Sequence, residues 1–109
     1  MSVRSKQLGL GTSLGTGTHD LYTVPAGYRT IVKSLVLWNR FGTAQRVVVG
    51  ILSGSTLLAD FVVVLAATSN AAETNVLQPW IVMEAGQKIQ VAPQGGTVDA
   101  IVSGAELLL

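Results

Sequence analysis

Two runs of residues constrain this chain more than any other feature. In Tyr28–Asn39 one alternating set is Ile31, Lys33, Leu35 and Leu37, and the other is Thr30, Val32, Ser34, Val36 and Trp38. In Thr56–Leu65 the sets are Leu57, Ala59, Phe61, Val63 and Leu65 against Leu58, Asp60, Val62 and Val64. Successive residues of a strand point to opposite faces. An antiparallel sheet with one wet face reads apolar on one side and polar on the other. Neither face is cleanly polar here, so both need cover. A sandwich built from one chain covers only one face of each sheet. The other face calls for a second copy, or for an extended segment of one.

The remaining sequence agrees with strands. No segment keeps a 3.6-residue apolar stripe for ten residues, and β-branched Val, Thr and Ile favour pleated sheets. Short β-rich runs broken by Gly, Pro, Ser and Asn at roughly ten-residue spacing predict an all-β, single antiparallel β-sandwich. The expected strands are residues 20–24, Tyr28–Asn39, 45–52, Thr56–Leu65, 76–83, 88–92 and 97–107. That makes seven, or eight if the N-terminal section adds one. Pro25-Ala26-Gly27 reads as a turn with Pro at its second position. Arg40-Phe41-Gly42-Thr43 reads as a hairpin tip, and residues 66–75 as a polar loop. Pro79 marks its strand as an edge or a bulge.

Composition narrows the function classes. The 109 residues make one domain, with residues 1–18 as a distinct section and 19–109 as the sandwich. Hydrophobic residues are 49% of the chain and charged residues only 12%, against about 25% charged in ordinary soluble domains. The mean hydropathy of +0.51 would suit a membrane protein. The most apolar window, residues 47–67, is however broken by Gly50, Ser53-Gly54-Ser55-Thr56 and Asp60, short of the ~20 apolar residues of a spanning helix. The start is basic but not followed by an apolar stretch, so synthesis in the cytoplasm is expected, without a secretory signal. A formal charge of +1 argues against a nucleic-acid surface. With no cysteine and one histidine, no metal site or cofactor is expected. The surplus of apolar residues therefore points to burial against other subunits, since obligate interfaces resemble a domain core cut in half.

Residues 1–18 alternate Gly9, Gly11, Gly15 and Gly17 with Ser, Thr and Leu, too flexible a composition for a core of its own. Val3, Leu8, Leu10 and Leu14 supply apolar anchors that a solvated tail would lack, so the section is expected to be an extended arm that orders against a neighbour. Arg4 and Lys6 could add contacts to an acidic surface. Arg40 and Phe41 at the hairpin tip are candidate hot-spot residues, and Trp38 is expected at an interface because its face also holds Ser34 and Thr30. Trp80 stays open between core and interface. No catalysis is expected. His19 and Asp20 are adjacent on a strand and point apart, the acidic residues are dispersed, and the glycine pairs lack the strand, helix and lysine of a phosphate loop.

From Tyr22 to Leu107 the chain also resembles a family of small β-sandwich proteins of tailed-phage virions. The resemblance rests on Tyr22-Thr23-Val24-Pro25-Ala26-Gly27-Tyr28 leading into a strand that ends at Trp38-Asn39. It continues in Leu77-Gln78-Pro79-Trp80-Ile81-Val82-Met83-Glu84-Ala85-Gly86-Gln87-Lys88-Ile89 and in the closing run Val102-Ser103-Gly104-Ala105-Glu106-Leu107. Gln87 stands where the family more usually has Asp. The resemblance implies a jelly-roll-like sandwich and a virion structural role, as capsid decoration or cement protein or as a tail, baseplate or fibre module. The expectation is a homo-oligomer, with a trimer as its expected state, bound to the major capsid protein at the capsid surface. A tail module, with Arg40-Phe41 as a receptor-binding tip, is the alternative. A sugar-binding sandwich is disfavoured by the scarcity of aromatic and acidic or amide residues at the loop tips.

Overall fold

The computed structural model describes the backbone of residues 2–39, 44–65, 73–77 and 80–109, leaving aside the side chains of residues 2–5 and 73–77. Among the described residues nine strands follow in order: β1 (Ser2–Leu14), β2 (His19–Thr23), β3 (Tyr28–Asn39), β4 (Gln45–Ser53), β5 (Thr56–Leu65), β6 (Glu73–Leu77), β7 (Ile81–Glu84), β8 (Gln87–Pro93) and β9 (Val98–Leu108). One sheet has the order β1-β9-β3-β6, with β7 also on β3, and the other β2-β8-β4-β5. All pairings are antiparallel.

β6 and β7 line successive stretches of the same edge of β3, at Leu35–Asn39 and at Arg29–Val32. They occupy one edge position of the sheet. Pro79 lies between them, outside the described residues, and Trp80, just before β7, has φ 52°. Counted as one position, they leave eight strands in the double-sheet jelly-roll order. Apart from the β4–β5 hairpin, each connection between successive strand positions crosses between the sheets.

The core lies between the layers. Val32, Leu35, Leu37, Met83, Val98, Ala100 and Val102 of the first sheet meet Val47, Val49, Ile51, Val63, Leu65, Ile89 and Val91 of the second. Nearly all are fully buried.

The N-terminal section is not a free arm. Ser2–Leu14 is an edge strand of the sandwich, paired with β9 from Ser2↔Leu108 to Leu14↔Val98. Leu8 and Leu14 pack against the core. The glycine-rich composition that argued for flexibility is overridden by a long partner strand, since strand formation depends on tertiary context.

Bulges explain a second departure. The register of β3 on β9 shifts between Val32 and Ser34, leaving Lys33 as the extra residue. One extra residue inverts the alternation beyond it. Thr30 and Val32 are therefore buried with Leu35 and Leu37, while Ser34, Val36 and Trp38 face outward. β1 carries a bulge at the same level, between Gln7 and Gly9. Between the two bulges lies Gly104, where a methyl group would overlap the Ile31 carbonyl.

The turn after β2 also differs in phase from the expected one. Tyr28 donates its N–H to the Pro25 carbonyl at 3.2 Å, so Pro25 is the first residue of the turn rather than the second. Gly27, with φ 83°, takes the left-handed third position of a type II turn.

Two outcomes test this architecture. Gly104→Ala is expected to cost about 1–3 kcal/mol by overpacking, read as a lower urea midpoint with an unchanged slope. A chain lacking residues 2–14 is expected to lose its cooperative thermal transition in far-ultraviolet circular dichroism. A free arm would leave that transition in place.

Candidate functional site

One polar cluster ties the sandwich together near its Pro25–Gly27 end. Glu106 of β9 is only 3% exposed. The Tyr22 hydroxyl donates to its Oε2 at 2.6 Å, and the Lys6 ammonium lies 2.9 Å from its Oε1. Tyr22 has one proton to give, so the Thr30 hydroxyl, 2.7 Å away, donates into the phenol oxygen. The four residues come from β9, β2, β1 and β3, and so from both sheets. Burial, reinforced by the Glu106 hydrogen bond, pushes the Tyr22 phenol up to about 12. A buried carboxylate persists only when it is paired and hydrogen-bonded.

Outside this cluster the notable feature is the exterior of the two sheets. On the first sheet Leu10, Ile101 and Val36 stand in one cross-strand row. Leu10 is 56% exposed, and Trp38 and Val82 of the same exterior are also exposed. On the second sheet Ala92, Val48 and Val62 form the matching row, with Leu57, Val62 and Val64 exposed on edge strand β5. An exterior this apolar on a small chain marks interaction surfaces. The need for cover on both faces, read from alternation, is met in the structure by residues left in solvent.

The second exterior is indented. Gly50 has no side chain, and it lies in register between Asp60 of β5 and Gln90 of β8. With Val48, Leu52 and Leu57 as walls, this leaves an open depression of about 260 Å³. Between β6 and β7, Trp80 is 62% exposed, and the Lys33 ammonium sits 5.9 Å from its ring centroid.

The residues singled out from sequence divide among several places. Leu8 and Leu14 contribute to the core, and Lys6 to the Glu106 cluster. Leu10 and Trp38 lie on the exterior of the first sheet. The backbones of Val3 and Arg4 pair with Leu107 and Glu106, and their side chains fall outside the described residues. Arg40 and Phe41 also lie outside the described residues. His19 donates from Nε2 to the Gly15 carbonyl at 2.8 Å, whereas Asp20 accepts from Gln90 at 2.6 Å, so the two neighbours engage different partners. The depression at Gly50 and the Lys33–Trp80 pair were not anticipated. The first depends on cross-strand register and the second on a bulge, neither of which has a local sequence signal.

No protein-family model and no curated protein sequence matches the chain. Among solved structures, it is similar to a chain of the cryo-EM structure of the extra small virus virus-like particle from the giant freshwater prawn Macrobrachium rosenbergii. The superposition has a TM-score of 0.52 at 11% identity and covers 96% of this chain and 78% of the other. The likeness is one of fold, and its source is a prawn virus rather than a tailed phage.

The Tyr22 cluster has a pH signature. The folded phenol titrates near 12 and the unfolded one near its ordinary 10.0. Below pH 10 both states keep the proton. Above it the unfolded chain releases the proton first, so stability falls between pH 10 and about 12. Urea unfolding across that range is expected to show this fall, and Tyr22→Phe to remove its Tyr22 component. At neutral pH the same variant is expected to cost about 1–3 kcal/mol, because buried Glu106 loses a donor.

Proposed function

We propose that this protein is a structural component of a virus particle that works by assembling with copies of itself, as a capsid decoration or cement subunit. The observation that carries the reading is the apolar exterior of both sheets on one jelly roll, with Leu10, Trp38 and Val82 on one side and Leu57, Val62 and Val64 on the other. Stable complexes bury about 1,600 Å² in total. Broad flat sheets with few charges provide such area without the desolvation cost of unpaired ions.

Two likenesses support a particle role. The fold is shared with a chain of a virus-like particle, and the sequence from Tyr22 onward resembles small sandwich proteins of phage virions. The mode of action is mechanical. A subunit that binds only the assembled lattice stabilises that lattice by mass action, by about 2.7 kcal/mol per site when its free concentration is a hundredfold above Kd. Repeated over a shell, such contacts resist internal pressure. In this reading the trimer expected from sequence is the binding unit and the major capsid protein its partner.

Copy number decides between head and tail. Quantitative mass spectrometry of purified particles, against the major coat protein, is expected to find hundreds of copies. A few to a few dozen would place the protein in the tail, and absence from the particle would overturn the virion reading.

A further inference from the structure

Among the described residues, Arg46 of β4 lacks an ionic partner, and so do two oppositely charged side chains on opposite exteriors, Lys33 on the first sheet and Asp60 on the second. Each sits in a shaped setting. Asp60 is at the rim of the Gly50 depression, whose walls are the apolar Val48, Leu52 and Leu57. Lys33 lies over Trp80, a large apolar side chain held mostly in solvent by a backbone with φ 52°. Bulky residues rarely adopt that conformation, and such strain clusters at binding sites.

The two settings match in size and charge. An apolar cavity of about 150 Å³ accepts a benzene ring, so a depression of about 260 Å³ has room for an indole. An ammonium carried on that indole would arrive beside the one carboxylate on the rim. Excluding water strengthens both the cation–π contact and the ion pair.

We propose that Trp80, with Lys33 over its ring, is a knob that enters the Gly50 depression of a second copy, where Lys33 pairs with Asp60. This rests on the self-assembly reading above and names the contact by which it occurs. Knob and depression lie on different sheets, so the contact is head-to-tail. Such contacts close into a ring when the rotation permits and otherwise continue as a filament. A ring of three is the closed form that agrees with the expected trimer.

Complementary charge variants of the full chain test the contact by sedimentation velocity. Lys33→Glu alone and Asp60→Lys alone are each expected to weaken self-association by about tenfold or more, since each leaves one charge desolvated or repelled. The double variant carrying both changes is expected to regain it. An equimolar mixture of the two single variants is expected to regain association as alternating copies, because an unchanged Lys33 meets an unchanged Asp60 at one contact and the two exchanged charges meet at the next. Gly50→Val, for which the nearest side-chain atoms are 3.4 and 3.5 Å from the new Cβ, is expected to fold normally and to associate about tenfold more weakly. Single variants that associate like the parent, or a double variant that stays impaired, would overturn the knob contact while leaving self-assembly standing. A parent chain that is monomeric at every concentration would overturn both.

Discussion

The Glu106 carboxylate is the point on which the two layers depend. Hydrophobic contact between sheets is non-directional and tolerates sliding. A buried carboxylate does not, because each lone pair left unmet carries a desolvation penalty. Glu106 draws Lys6 from β1 and Tyr22 from β2 to fixed distances, and Thr30 of β3 completes the phenol's hydrogen bonding. Four strands are thereby set in one register. The jelly-roll order brings these strands near one another, and the carboxylate determines how they align. Edge strand β1 gains most, since among the described residues its outer side has no neighbouring strand in the sheet.

Much of the strand layout was legible in the sequence, and the exceptions share a cause. Tyr28–Asn39 and Thr56–Leu65 stand where alternation and turn residues put them, because both signals are local. β1 is glycine-rich and becomes a strand through β9, about a hundred residues away in sequence. The extra residue at Lys33 reverses the faces of β3, so Thr30 is buried although its alternation set also holds exposed Trp38. A one-residue slip has no signature in a list of residue types. The expected single strand 76–83 corresponds to β6 and β7 on one edge of β3, and Pro79 lies between them outside the described residues.

The candidate surfaces follow the same division. That both exteriors would be apolar was visible in β3 and β5 alone. Which residues form a hole was not. Gly50 becomes a floor only because β5 and β8 place Asp60 and Gln90 beside it. Likewise Lys6, one of a basic pair in the sequence, serves a buried carboxylate rather than a partner's surface. Charge in so sparsely charged a chain is used internally first, and the few remaining ions on the exterior carry correspondingly more specificity.

The pairing of β1 with β9 has a consequence in time. β1 joins β9 across eight steps of chain order, with Ser2 opposite Leu108. Sheets that depend on such distant contacts form slowly. On the ribosome the first sheet cannot close until β9 has emerged, so β3 waits without that neighbour. The exterior of the first sheet is thus completed only once β9 is in place, after every strand of the second sheet has been made. The topology thus delays assembly through the first sheet's exterior until β9 has been made. The cost is a period in which apolar strands stand open to aggregation.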